Sequence, residues 1–425
     1  MNKCCRASGR PVQGKIFSLM LHRQSQQHLA VLFHRVGPYH FARLRAAGKK
    51  FATTLIEVFK EDAVYGWMPV PGADGFERVT LFERHPQPAR RLNRAIVAAL
   101  DNCRPDVVAI PGWSDAVAFA AIKWCLLHRV PVVVMSESTA WDEPRRFWKE
   151  WIKRRLMRLC AGGIVGGRPH AEYLARLGIP ATSIFQGYDA VDNDYYAGKA
   201  AEARSHGPEL RKKLGLPENY FLASARFVEK KNLFRLIKAY GLYRKLAGEF
   251  AVETSRPWDL VLLGDGPLRP ELCELIDNLG LQSSVWLPGF NQYDKLPFYY
   301  GLAKVFIHAS TVEQWGLVVN EAMASGLPVL VSHRCGCAQD LVQEKVNGFA
   351  FDPYNYEELA KLMSRLSAPG VDLEKMGCAS KMIVAQWGPD RFAGGMAAAV
   401  DKAVSAPPPH PTWVDYLLLN LLLMR

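Results

Sequence analysis

The sequence predicts an α/β protein made of two doubly wound, parallel-sheet domains. Three observations carry this. Short apolar runs recur at residues 29–33, 106–111, 130–135, 220–223, 260–263 and 305–309, as buried strands do. Longer stretches with helical patterning alternate with them, the order that builds parallel sheets covered by helices. At 425 residues the chain has room for two domains of ordinary size. The expected division is a basic N-terminal segment (1–28), a first domain (29–196), a linker (197–211), a second domain (212–386), a helix (387–405) and a Pro-rich, apolar tail (406–425).

Residues 1–28 contain no acidic residue and lack a clear pattern; the apolar run at 16–21 is too short for a signal sequence, and Met20 is an alternative start. The first strand, 29–33, leads into a loop over 34–40 that holds Gly37 and His40, and a helix is expected from Phe41. The strand at 130–135 ends on Ser136-Glu137-Ser138, with Glu137 either a functional carboxylate or the partner of a nearby Arg. Residues 145–158 interleave Arg and Lys with Phe147, Trp148 and Trp151. That pattern fits an interfacial amphipathic helix, or a solvated helix whose apolar side packs on its own domain. Asp192-Asn193-Asp194 is read as turn and interdomain chemistry rather than a metal site. The tail, Trp413 onward, would touch a membrane, dock on the protein, or be a spurious terminus.

In the second half, the strand at 220–223 runs into Ser224-Ala225-Arg226 and Lys230-Lys231, followed by an amphipathic helix over 233–246. Gly264-Asp265-Gly266-Pro267 is a tight turn closing the next strand. After the strand at 305–309 comes a loop with Glu313 and Gly316, then a helix over 317–325 stopped by Gly326 and Pro328. The loop thus feeds a helix N-terminus at Leu317, whose unpaired N–H groups and dipole favour an anion such as a diphosphate. Glu313 and Glu321 are acceptor-only groups suited to hydroxyl pairs. Either glutamate alone would read as a solvated side chain; the string as a whole does not.

That string, with two carboxylates eight positions apart around Gly316, resembles the E-x7-E signature of retaining family 4 glycosyltransferases. The resemblance implies the GT-B fold, two Rossmann-like domains facing a central cleft. It implies transfer of a hexosyl group from a nucleotide-sugar donor to a glycan or lipid-linked acceptor in polysaccharide or glycolipid synthesis. Glu321 would hold the donor ribose and Glu313 the transferred sugar. Arg226 and Lys231 would hold the diphosphate, with Lys230 an alternative to Lys231. Gly264 and Gly266 would face the nucleotide, Phe290 would stack on the base, and Gly316 and Leu317 would complete the donor site. Gly37 would match an acceptor-admitting glycine loop, with His40 beside it. Glu137 stands where the family often has a His, as a general base or sugar-hydroxyl ligand. The donor is a substrate, so no cofactor and no metal are expected. The alternatives are a sucrose- or trehalose-type synthase, or a non-catalytic nucleotide-sugar-binding scaffold.

Charge is uneven. Residues 1–200 carry 29 Lys and Arg against 17 Asp and Glu, while residues 201–425 carry 24 of each. The basic half suggests attraction to an anionic membrane surface; no nucleic-acid motif accompanies it, so nucleic acid is not expected as a partner. The nine cysteines show no zinc spacing and read as reduced thiols. No apolar run reaches membrane-spanning length. The expected location is cytoplasmic, with peripheral attachment to the inner face of the membrane.

Overall fold

Short β-branched runs become parallel strands because both faces of each are covered by helices. The computed structural model describes residues 27–61, 70–84, 87–249 and 256–424. The basic N-terminal segment lies almost wholly outside the described residues. Seven strands form the first sheet: β1 (His28–Phe33), β2 (Ala52–Phe59), β3 (Glu77–Phe82), β4 (Val107–Pro111), β5 (Val132–Ser136), β6 (Gly162–Val165) and β7 (Ile184–Gln186). Six form the second: β8 (Tyr220–Ser224), β9 (Asp259–Leu263), β10 (Val285–Gly289), β11 (Val305–His308), β12 (Val329–Ser332) and β13 (Gly348–Phe351). All pairings between these strands are parallel.

The strand orders are β3-β2-β1-β4-β5-β6-β7 and β10-β9-β8-β11-β12-β13. Both reverse direction once, between β1 and β4 and between β8 and β11. At such a switch point the flanking loops diverge and leave a crevice at the carboxyl ends of the strands. The two crevices face each other across the cleft, which is the GT-B arrangement that the sequence resemblance implied.

Several boundaries differ from expectation. The first helix spans Pro38–Ala47 rather than starting at Phe41. Pro38 occupies the first turn, where its missing N–H costs nothing, and Gly37 caps it. Residues 197–211, expected as a linker, lie in the helices Asn193–Ser205 and Gly207–Leu214. The first of these buries Tyr196 and Ala203 in the core of the second domain with Tyr300 and Leu302.

The chain returns to the first domain through the helix Pro389–Ser405, which inserts Phe392, Met396 and Val400 among Val31, Val133 and Ile164. The tail forms a further helix, Trp413–Leu423, opened by a reciprocal Thr412–Asp415 capping box. Leu419 and Leu423 are buried in the core of the first domain, and Asp415 Oδ1 accepts from Arg155 at 2.7 Å. Of the readings open for the tail, docking on the protein is the one observed. Among the described residues no helix is long and apolar enough to cross a membrane.

Candidate active site

The site starts at the ends of β8 and β11. After β8 the backbone turns through Ala225 and Phe227, whose N–H groups donate to Leu263 and Asp265 carbonyls at 3.0 and 2.9 Å. This lays the Arg226 loop directly on the Gly264–Gly266 loop. A Cβ on Gly264 would sit 1.9 Å from the Ala225 carbonyl oxygen, and the residue's φ is +136°, so only glycine fits. Gly316, with φ of +106°, turns the β11 loop into the helix Leu317–Ala324. Arg226, Lys230, Lys231, Gly264, Gly266, Phe290, Glu313, Gly316, Leu317 and Glu321 then line one cavity of about 590 Å³. Sequence reasoning had placed every one of these near a donor.

Within the cavity the two glutamates have opposite surroundings. Glu313 pairs with Lys231, accepts from Ser310 Oγ at 3.2 Å, and lies 3.3 Å from His308 Nε2. Burial opposes its charge, but Lys231 and His308 outweigh burial and hold its carboxyl well below the usual range. Lys231 and not the exposed Lys230 makes this pair, which separates the two lysines that spacing left equivalent. His308, buried at the end of β11, has its pKa lowered by desolvation. It was not singled out from sequence, although its position at a strand's carboxyl end beside the motif is the signal that points to it.

Glu321 is fully buried. Among the described residues no cation bonds it; Tyr300 donates to it at 2.7 Å and Tyr39 donates from across the cleft. Burial raises its pKa from 4.5 to about 7, and the tyrosine hydrogen bonds pull the other way. Tyr39 comes from the first domain, next to Gly37, and its ring packs edge-on against Tyr293. Placing the helix start at Pro38 would have marked Tyr39 as a cleft residue; no sequence signal pairs it with Glu321.

The first domain contributes a second cavity of about 640 Å³, lined by His34, Trp113, Ser136, Glu137, Asp142 and Lys153 among others. Glu137 projects from the end of β5 and lines both cavities, as does Lys230. Gly37 and His40 line neither. Gly37 N donates to His40 Nδ1 at 3.2 Å, and burial together with Arg43 and Arg35 keeps His40 neutral. Expected as acceptor contacts, the two instead form the helix cap that aims Tyr39. Asp192 caps the helix Asn193–Ser205 and pairs with Arg45, consistent with turn chemistry. Among the described residues no cluster of His, Cys, Asp or Glu has metal-binding geometry.

The domains are fastened around the motif. His170 Nε2 meets the Gln314 carbonyl at 2.8 Å, the Arg168 N–H donates to Asp340 at 2.9 Å, and Trp315 lies buried between His170 and Trp387.

Comparison with known proteins agrees with this geometry. Residues 207–381 match the family described as glycosyl transferases group 1. The alpha-D-kanosaminyltransferase of Streptomyces kanamyceticus is 26% identical over 265 residues, which cover 60% of this chain and 65% of that protein. The alpha-monoglucosyldiacylglycerol synthase of Acholeplasma laidlawii is 32% identical over 154 residues, 36% of each chain. The alignments therefore span less than two thirds of these relatives. Among solved structures, Anabaena HepE in complex with UDP and glucose superposes with a TM-score of 0.67 at 17% identity, covering 88% of this chain and 99% of that one. Sucrose-phosphate synthase of Thermosynechococcus elongatus gives 0.68 at 17%, covering 88% and 98%. At that identity they establish the fold. The second domain, over residues 207–381, thus matches the group 1 glycosyltransferases, and the chain as a whole has the GT-B fold.

Proposed function

We propose that the protein transfers a hexosyl group, with retention at the anomeric carbon, from a nucleotide-sugar to a glycan or lipid-linked acceptor. The observation that carries this is the single cavity at the ends of β8 and β11 that gathers Arg226, Lys230 and Lys231 with Glu313 and Glu321. The three cations of that lining suit a dianionic diphosphate. As the glycosidic bond breaks, negative charge grows on the leaving diphosphate, and cations held in place stabilise it without reorganising. They supply charge that a metal would otherwise supply. Glu313 accepts hydroxyls of the transferred sugar, and Glu321 accepts ribose hydroxyls by exchanging them for Tyr39. The test is turnover with donor and acceptor. Arg226→Ala and Glu313→Ala should each lower kcat on the order of a hundredfold; full turnover in both would sink the assignment.

We propose further that the protein docks on an anionic membrane. The helix Phe147–Met157 exposes Phe147 (88%), Trp148 and Trp151, and the neighbouring tail helix exposes Trp413 (76%), Leu417 and Leu421. Arg146, Arg154 and Arg158 are exposed around them, while Lys153 and Arg155 are occupied by Glu143 and Asp415. Aromatic rings rimmed by cations suit a lipid headgroup layer. Charge reversal at Arg146, Arg154 and Arg158 should abolish co-sedimentation with phosphatidylglycerol vesicles; undiminished binding would contradict it.

A further inference from the structure

Asp189 follows β7 in the segment Gly187-Tyr188-Asp189 and is 0% exposed. Neither of its carboxyl oxygens has a hydrogen-bond donor among the described residues. A buried, unpartnered carboxylate is among the costliest groups a fold can carry. Its neighbour is another carboxyl, that of Glu137. Two carboxylates only accept, so they cannot bond to each other unless one keeps a proton. Burial favours that proton on both and more strongly on Asp189, the deeper of the two; Glu137 gains in return as the acceptor. Arg43, itself 1% exposed, lies beside the pair and donates to the Tyr188 carbonyl at 2.6 Å. Tyr188 flanks Asp189, and Glu313 and Cys337 face the pair from the second domain.

Glu137 and Lys230 are the residues common to the linings of the donor and acceptor-side cavities. An acceptor hydroxyl must meet the anomeric carbon where those cavities join. Resting on the glycosyl-transfer reading above, we propose that Asp189 is a positioning residue which donates its carboxyl proton to Glu137, so that the pair presents one negative charge at the junction. Glu137 there accepts a hydrogen bond from the attacking hydroxyl and takes its proton as the acceptor oxygen bonds the anomeric carbon and the diphosphate leaves with the electron pair of the broken bond; before that it faces the positive charge that develops on the sugar ring. A second negative charge on Asp189 would repel the first and turn Glu137 away from the junction.

The test has two arms. Infrared difference spectra at pH 8, wild type minus Asp189→Asn, should show the carbonyl stretch of a protonated carboxylic acid; no such band would overturn the proposal whatever the activity. The second arm uses the UDP-, GDP- or ADP-sugar that stabilises the protein, with water as acceptor. Asp189→Asn keeps a permanent donor, so hydrolysis should stay within about threefold and lose the alkaline limb of its pH profile; Asp189→Ala should lose about tenfold or more in kcat with KM for the donor unchanged. A folded Asp189→Ala with wild-type kcat, or an inactive Asp189→Asn, would contradict the assignment. If no nucleotide-sugar stabilises the protein, the functional reading fails while the infrared arm still decides the carboxyl pair.

Discussion

Glu313 and Glu321 lie eight residues apart on the two sides of one glycine, yet one is driven to ionise and the other resists it. The loop side offers a lysine, a histidine and a serine; the helix side offers tyrosines inside a packed core. Desolvation opposes the charge of both, so it does not explain the difference, and the partners decide it. In the proposed function, a carboxylate tied to Lys231 belongs to the charged surface offered to phosphate and a reacting sugar. A carboxyl held by neutral hydroxyls is a place where hydroxyls are exchanged. On that proposal the pair divides the work between chemistry and recognition.

The sharpest way to break this comparison is to remove each side and ask which constant moves. Lys231→Ala leaves Glu313 with its other partners alone and takes one cation from the diphosphate; kcat should fall on the order of a hundredfold or more, with a smaller change in nucleotide affinity. Glu321→Ala should act the other way, weakening nucleotide-sugar binding about tenfold to a hundredfold, as loss of a buried hydrogen-bonding partner does. Equal effects of both variants on kcat and on Kd would dissolve the distinction.

The next effect concerns pH. Glu321 is an acid whose folded pKa, about 7, lies above its ordinary 4.5. The folded state therefore favours its protonated form. Its cost is absent below pH 4.5 and grows as pH rises through 7, reaching roughly 3 kcal/mol at pH 8. Glu313, with its pKa depressed, does the reverse: its contribution is full above the ordinary carboxylate range and is lost as acid titrates it. Chemical denaturation of wild type and Glu321→Gln should show the variant gaining relative stability between pH 5 and 8. A constant difference across that range would mean that Glu321 is ionised throughout.

The smallest effect tests the contact across the cleft. Tyr39→Phe removes one donor to Glu321 without altering ring packing. Because Tyr39 occupies an acceptor position needed by ribose, nucleotide affinity should stay level or rise by up to about fivefold, the worth of one neutral hydrogen bond. A large loss of affinity would show that Tyr39 itself holds the nucleotide.

The two halves were unequally legible. In the second, cations, glycines and carboxylates sit in short loops at strand ends, so local pattern fixes where they face, and all ten donor-side residues meet in one cavity. In the first, Gly37 and His40 were read as contacts from the resemblance to an acceptor-side glycine loop, and the helix start was placed three residues late; with Pro38 at the first turn the two form a cap. Tyr39, Tyr300 and Asp189 escaped because their importance comes from partners between 21 and 282 residues away in sequence, beyond the reach of any periodicity, whereas His308 stands only five residues before Glu313 and its place at the strand end was the signal passed over. The tail helix was legible as apolar but not as docked, since Leu419 and Leu423 find their places only on the finished first domain.

The central claim, that the cavity at the ends of β8 and β11 is a nucleotide-sugar site governed by Glu321, is tested most directly by thermal stabilisation with UDP, GDP, ADP and their sugars, with and without magnesium. The account predicts a selective upward shift for one nucleotide, lost in Glu321→Ala and retained in Asp189→Asn. No shift with any nucleotide, or an identical shift in Glu321→Ala, would contradict it.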